Sequence, residues 1–219
     1  MNYFEILSLK KVEKLAQKRK GETKLFEDVH FLNSKQSIEK QLENSSVKYV
    51  IFGIPEDLGV LANYGNAGTK NAWKEVIEVL LNIQSNKTTY ADQILILGCF
   101  DFREIYMQIT DFEDVKTLRK LVKIIDAQVT SLIYLIKKSG KIPIAIGGGH
   151  NNAYGMIKGC ALALNSKINT INFDAHTDFR ALEGRHSGNG FSYAMDEGFL
   201  ERYYVFGLHE HYTSSSIYD

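Results

Sequence analysis

Cysteine and proline are scarce in this chain, whose 219 residues hold only two of each. Cys99 and Cys160 lie far apart and form no C-x-x-C pair, so buried free thiols in a reducing cytoplasm are expected rather than a disulfide. With two prolines and no long polar tract, extended disorder and a flexible linker are not expected either. An excess of charge of one sign is also lacking. Lysine plus arginine number 26 and aspartate plus glutamate 26, which gives no electrostatic reason for a nucleic-acid or anionic-membrane partner. Lys10, Lys11, Lys14, Lys18, Arg19 and Lys20 do cluster, but acidic residues are interspersed and the group reads as a solvated helix face. No stretch approaches the ~20 apolar residues that span a bilayer. The N-terminus lacks the basic-then-apolar plan of a signal peptide, because charges interrupt each apolar run. These absences point to a cytoplasmic protein that meets small molecules, with self-association into a homo-oligomer left open.

What is present is an ordinary globular composition, 44% hydrophobic and 24% charged, in a chain long enough for one sizeable α/β domain. Short apolar runs at 47–54, 94–97, 141–146, 168–173 and 203–206 read as strands. Between them, apolar residues recur at intervals of three and four over 71–83 and 111–138, which predicts amphipathic helices. Further helices are expected over 151–164 and near 192–200, and Gly59, Gly65 and Gly68 mark a long loop. Strands alternating with helices imply βαβ units and a mainly parallel sheet covered on both faces. We expect a single domain over 1–219, of which 1–45 is an N-terminal helical extension.

The chemistry concentrates in Ile168-Asn-Thr-Ile-Asn-Phe-Asp-Ala-His-Thr-Asp178. After the strand, Asp174, His176 and Asp178 stand at i, i+2 and i+4, a spacing that sends side chains of extended backbone to one side. Two carboxylates buried without a cation would be costly, so a metal is favoured over a helix cap with a hydrogen-bonded histidine. A donor set of oxygens and imidazole without thiolate suits Mn²⁺ or a similar divalent ion, which can generate hydroxide from water near neutral pH. Upstream, Gly147-Gly-Gly-His150 follows another strand. It matches neither the phosphate-binding G-x-x-x-x-G-K pattern nor G-x-G-x-x-G spacing, so the glycines are read as giving close backbone passage while His150 supplies a fourth ligand. Both segments fall at strand carboxyl ends, where sites gather in parallel sheets.

G-G-G-H followed by D-A-H-T-D resembles the ureohydrolase family: arginases, agmatinases and formimidoylglutamases. Asp178-Phe-Arg180 and His186-Ser-Gly-Asn-Gly-Phe191 are most similar to the formimidoylglutamase branch, and Phe52-Gly-Ile-Pro-Glu-Asp-Leu-Gly-Val60 with Asn63-Tyr-Gly65 resembles a bacterial subgroup labelled formimidoylglutamase or arginase-like. The resemblance runs from about residue 47 to the end of the sequence. It implies a three-layer α/β/α fold and a centre of two Mn²⁺ ions that hydrolyses a guanidino or formimino C–N bond. Asp174 would bridge the ions, His150 and Asp178 would bind one, and His176 the other.

Arginases carry an asparagine and a proton-shuttling histidine where this chain has Arg180 and Phe191. Phenylalanine transfers no proton, which moves the expected substrate from arginine towards N-formimino-L-glutamate, cleaved to glutamate and formamide. Arg180 would clasp a substrate carboxylate. Ser187 and Asn189 are candidate substrate contacts, and His186 is either a general acid–base or a hydrogen-bonded loop histidine. The family's second motif, D-x-D-x-x-D-P, is not in these 219 residues. The expectation is therefore half of a two-metal centre, with sheet edge left open. Arginase or agmatinase activity, and a non-catalytic metal-binding or interaction domain, are the alternatives.

Overall fold

The computed structural model describes residues 3–33 and 36–217. In chain order its strands and α-helices are β1 (Phe4–Ile6), α1 (Leu9–Leu15), α2 (Leu25–Asp28), α3 (Ile38–Asn44), β2 (Tyr49–Gly53), α4 (Leu58–Leu61), α5 (Ala72–Asn82), β3 (Ile94–Phe100), α6 (Arg103–Tyr106), α7 (Val115–Lys138), β4 (Ile142–Ile146), α8 (Asn152–Leu164), β5 (Ile168–Phe173), α9 (Gly190–Asp196) and β6 (Leu200–Phe206). They fall into two compact units. One comprises Met1–Asp57, Ala67–Gln108 and Leu135–Gly148, the other Leu58–Asn66, Ile109–Tyr134 and Gly149–Asp219.

The first unit carries a four-stranded sheet in the order β1-β3-β2-β4. β2 runs parallel to both neighbours, with Tyr49 opposite Ile94 on one side and Ile142 on the other. Continuous apolar sequence suits such a central strand, and Val50, Phe52, Ile96 and Leu97 are fully buried. α5 presents Trp73, Ile77 and Leu81, four residues apart, to a core shared with Ile51, Ile96 and Val12. The N-terminal segment holds α1, α2 and α3, and the basic residues of 10–20 are solvent-facing. It also supplies β1, which pairs antiparallel with β3 through Phe4 and Phe100. Three residues are too few to carry a period-two signal, so this edge strand is invisible in the sequence.

The second unit is built on α7 as far as Tyr134, on α8 and on the parallel pair β5–β6, which forms a two-stranded sheet of its own. α7 buries Leu118, Val122, Ile125, Val129 and Leu132 along one stripe. It starts later than its apolar periodicity suggests: the Asp114 carboxylate accepts the Thr117 N–H at 3.1 Å, which caps the helix and leaves Phe112 half exposed in the preceding turn. α9 stops before residue 200, because Gly198 takes φ +80° and Leu200 opens β6. Tyr154, Ile157, Phe191, Ala194 and Leu200 form the core beneath one face of β5–β6. On the other face, Ile171 stands opposite Tyr204 and Phe173 opposite Phe206, and Phe173 and Phe206 remain 77% and 69% exposed. No helix among the described residues is long and apolar enough to cross a membrane.

Two glycines bring α7 and α8 together. A Cβ at Gly159 would lie 2.6 Å from Ile133 Cβ and 2.7 Å from the Thr130 carbonyl oxygen, and one at Gly155 would lie 2.9 Å from Val129 Cβ. Glycine costs the helix about 1 kcal/mol relative to alanine, but overpacking here costs roughly 1–3 kcal/mol. Gly159→Ala is thus expected to lower the thermal unfolding midpoint despite its better helix propensity. An unchanged or raised midpoint in a calorimetric scan would show that the helices are not in such close contact.

Candidate metal centre

The Gly147 and Gly148 backbones take φ +85° and +82°, which side-chained residues rarely adopt. A Cβ on Gly147 would sit 3.2 Å from Ala72 Cβ and 3.3 Å from the Trp73 nitrogen, so this glycine serves the approach of α5. His150 follows just before α8 in the second unit, and its ring is fixed from the side by the edge of Phe191 at 5.4 Å. The Asp174–Asp178 segment leaves β5 in the same unit. Asp178 takes φ +45°, a left-handed conformation that aspartate tolerates better than most residues.

His150 Nδ1 meets both carboxylates, hydrogen-bonding Asp178 Oδ2 and lying 3.3 Å from Asp174 Oδ2. Donor atoms of His150, Asp174 and Asp178 all lie within 4.8 Å of one another. His176 stands beside this trio rather than in it. Its Nδ1 is 3.0 Å from Asp174 Oδ1, the other oxygen of that carboxylate, and its ring lies against Tyr212 at 4.9 Å. Asp174 therefore sits between two imidazoles. Burial opposes protonation of His150, but its hydrogen bond to the Asp178 carboxylate and the charges of both aspartates outweigh it and raise its pKa. Burial also works against the Asp174 anion, yet the backbone and ring hydrogen bonds of His176 and the charge of His150 hold its carboxyl below the usual range. One imidazole N–H can serve only one of two carboxylates. A divalent cation satisfies both at once, and an oxygen-plus-imidazole donor set of this kind fits Mn²⁺.

Sequence reasoning missed the residue under this segment. The Tyr203 hydroxyl donates to the Thr177 carbonyl at 2.7 Å and accepts from Asn172 at 3.1 Å. Its ring stacks on Phe191 at 4.3 Å, so Phe191 ties the His150 ring to β6. No local motif marks a tyrosine in a strand as a support for a loop 26 residues earlier.

The remaining expected site residues lie on the loop after Asp178. Arg180 is half exposed and donates from Nη1 to Asn63 Oδ1 at 2.7 Å, while Asn63 Nδ2 donates to Ser187 Oγ at 3.2 Å. A pocket of about 740 Å³ opens here, with Asn63, His176, Asp178, Arg180, Glu183 and Tyr212 on its walls. Asn189 is fully buried; its amide donates to the carbonyls of Ala181 and Gly184 at 3.1 and 2.8 Å and accepts from Arg185 and the His186 N–H.

His186 is also fully buried. Nδ1 accepts from the Gly188 N–H at 3.1 Å, which leaves Nε2 to donate to Glu183 Oε1 at 3.1 Å. Both ring nitrogens are engaged inside the loop. Burial, aided by the charge of Arg119, pushes its pKa down to about 4. Above pH ~6.5 the ring is neutral in folded and unfolded chains alike. Between ~6.5 and about 4 only the unfolded chain takes up the proton, so stability falls by roughly 1.4 kcal/mol per pH unit and levels off below the folded pKa. His186→Gln is expected to lose less stability than the wild type between pH 7 and 4.5 in urea titrations. Equal losses would mean that the fold does not hold this ring neutral.

A mainly parallel α/β protein with a histidine–carboxylate cluster at a strand end is the class that this geometry defines. The arginase family sequence model matches residues 47–218, and the chain belongs to that family. It is 32% identical over 161 residues to a formimidoylglutamase of Macrococcus caseolyticus, covering 73% of this chain and 46% of that one. A formimidoylglutamase of Hahella chejuensis is 27% identical over 194 residues, covering 84% and 54%. The fold resembles Trypanosoma cruzi formiminoglutamase solved with Mn²⁺, with a TM-score of 0.63 at 21% identity over 89% of this chain and 60% of that one. Bacillus subtilis formimidoylglutamase gives 0.66 at 19% identity, over 91% and 57%. These likenesses bear out the arginase-like α/β fold. The chain spans about half the length of the curated relatives it matches.

Proposed function

We propose that this chain carries half of the centre of a manganese-dependent hydrolase of linear amidine C–N bonds, of formimidoylglutamase type. The observation that carries the reading is the convergence of His150, Asp174 and Asp178 on one point in a member of the arginase family. These three residues, with His176 on the far oxygen of Asp174, would hold Mn²⁺. Such ions supply Lewis acidity and a nucleophile drawn from water at neutral pH. The chain's own contribution is positional. Asp174 is oriented by the His176 N–H at 2.9 Å, Phe191 sets the His150 ring, and Tyr203 anchors the Thr177 carbonyl between the two aspartates.

Arg180, at the pocket wall two residues from Asp178, supports an anionic substrate. Its planar fork suits a carboxylate, as N-formimino-L-glutamate offers and agmatine does not. Ser187 shares Asn63 with it, and would take part in the same substrate contact through that link. In this reading His186 and Asn189, whose polar atoms are engaged within the loop, shape the pocket rather than transfer protons. Because the chain spans about half of its relatives, turnover is assigned to the polypeptide that also contains the other half of the centre.

The test is a comparison of N-formimino-L-glutamate, arginine and agmatine as substrates of that polypeptide with Mn²⁺ present. Preference for the formimino acid is expected, with Arg180→Ala raising its KM at least tenfold, since a bidentate charged contact contributes about 1.5–3 kcal/mol. Preference for agmatine, unaffected by Arg180→Ala, would overturn the assignment.

A further inference from the structure

Glu183 is a point of convergence on the loop that carries Arg180. Its Oε1 lies 3.1 Å from His186 Nε2, 3.3 Å from Arg119 Nη2 and 3.5 Å from Arg180 Nη2. Arg119 also donates from Nη1 to the Glu183 carbonyl at 2.6 Å and from Nε to the Ala62 carbonyl at 3.3 Å, and its side chain is only 17% exposed. These three holds on Glu183 are unequal. Arg119 is 17% exposed and hydrogen-bonds at three points, whereas Arg180 is 54% exposed and its 3.5 Å contact with Glu183 is the longest of the three. Moving the Arg180 guanidinium away would leave the Glu183 charge compensated by Arg119 and bonded by His186. The exchange therefore strands no buried charge, which is the usual obstacle to breaking an ion pair.

We infer that Glu183 is a specificity-determining residue: it serves as the resident, loosely held counter-ion of Arg180 and yields that guanidinium to the carboxylate of an anionic ligand. The inference rests on the reading of Arg180 as the carboxylate contact. Two opposing consequences follow. Removing the Glu183 charge frees Arg180 from a competitor and lessens repulsion of the arriving anion, so carboxylate affinity rises. Removing Arg119 leaves Glu183 dependent on Arg180, so carboxylate affinity falls. A residue that merely stabilised the loop would weaken binding in both cases.

The experiment uses the 219-residue chain in chelator-treated, metal-free form, so that the ligand cannot bind through a metal, and titrates it calorimetrically with L-glutamate. Relative to wild type, Glu183→Gln is expected to bind about three- to tenfold more tightly, Arg119→Gln about as much more weakly, and Arg180→Ala not measurably; factors of this size correspond to single partly exposed charge pairs. If Glu183→Gln proves unfolded by circular dichroism, Arg119→Gln, which leaves Glu183 in place, decides by the direction of its shift. Arg180-dependent binding that Glu183→Gln and Arg119→Gln both leave unchanged, or that Glu183→Gln weakens, overturns the role of Glu183 alone. Absence of L-glutamate binding in wild type and Glu183→Gln alike, or binding that survives Arg180→Ala, overturns the Arg180 reading and this inference with it.

Discussion

Asp174→Ala is expected to abolish the stabilisation that Mn²⁺ confers on the chain and to lower the stability of the metal-free protein modestly. Asp174 places a second carboxylate 3.3 Å from a His150 nitrogen that Asp178 already engages. Its anion is nonetheless favoured in the fold by the backbone N–H and ring of His176 and the charge of His150, so its removal costs those contacts near neutral pH. The substitution also deletes a carboxylate that reaches both imidazoles, His150 through Oδ2 and His176 through Oδ1. Loss of groups that only support a metal site costs 10–100-fold in affinity, and loss of a ligand exceeds this, so Mn²⁺ affinity should drop by more than about 100-fold. Ligand linkage sets the readout: at a hundred times its dissociation constant an ion stabilises the native state by about 2.7 kcal/mol. A thermal scan with and without Mn²⁺ should therefore separate in the wild type and coincide in Asp174→Ala. His186→Gln, which touches none of the three donors, should keep the separation. A Mn²⁺-dependent shift that survives in Asp174→Ala would sink the proposed centre.

How much of this was legible in the sequence depended on whether the signal was local. β5 and its neighbours announce themselves through apolar runs, and the periodicity of α7 predicts the stripe from Leu118 to Leu132 that is buried. β1 gave no such signal, since its pairing with β3 is decided by a partner some ninety residues away. The cluster itself was legible because D-A-H-T-D compresses three donor types into five residues. His150 joined it through its place at a strand end alone, and no ladder carries that link: β4 pairs with β2 and β5 with β6. What actually holds His150 is Phe191, a residue read only for what it cannot do chemically. The sharpest gap concerns Arg185. As one charged residue in a glycine-containing loop it reads as solvated, and the acid that pairs with it lies on α7, 59 positions earlier.

Arg185→Ala is expected to destabilise the chain by about 3–5 kcal/mol, the largest single loss predicted for a residue outside the apolar core. The side chain is 2% exposed and Asp126 is 3% exposed. Nε donates to Asp126 Oδ2 at 2.9 Å, Nη2 to the Asn151 carbonyl at 2.9 Å, and Nη1 to Asn189 Oδ1. Tyr154 and Tyr193 face the guanidinium at 4.8 and 5.0 Å. One arginine thus joins α7, the approach to α8 and the loop from His186 to Asn189, and its loss takes the guanidinium away from the buried Asp126 carboxylate. That penalty is larger than the net worth of the pair, because desolvation offsets most of the attraction between buried ions. The double variant Arg185→Met/Asp126→Leu should accordingly be more stable than Arg185→Ala, although it removes both charges. Lysine should not substitute for arginine, since a point charge cannot reach Asp126, Asn151 and Asn189 with one planar fork. Urea unfolding of the four proteins measures these differences directly. A loss below about 1 kcal/mol in Arg185→Ala would mean that water reaches Asp126 and that the loop is held by Asn189 and Glu183 instead.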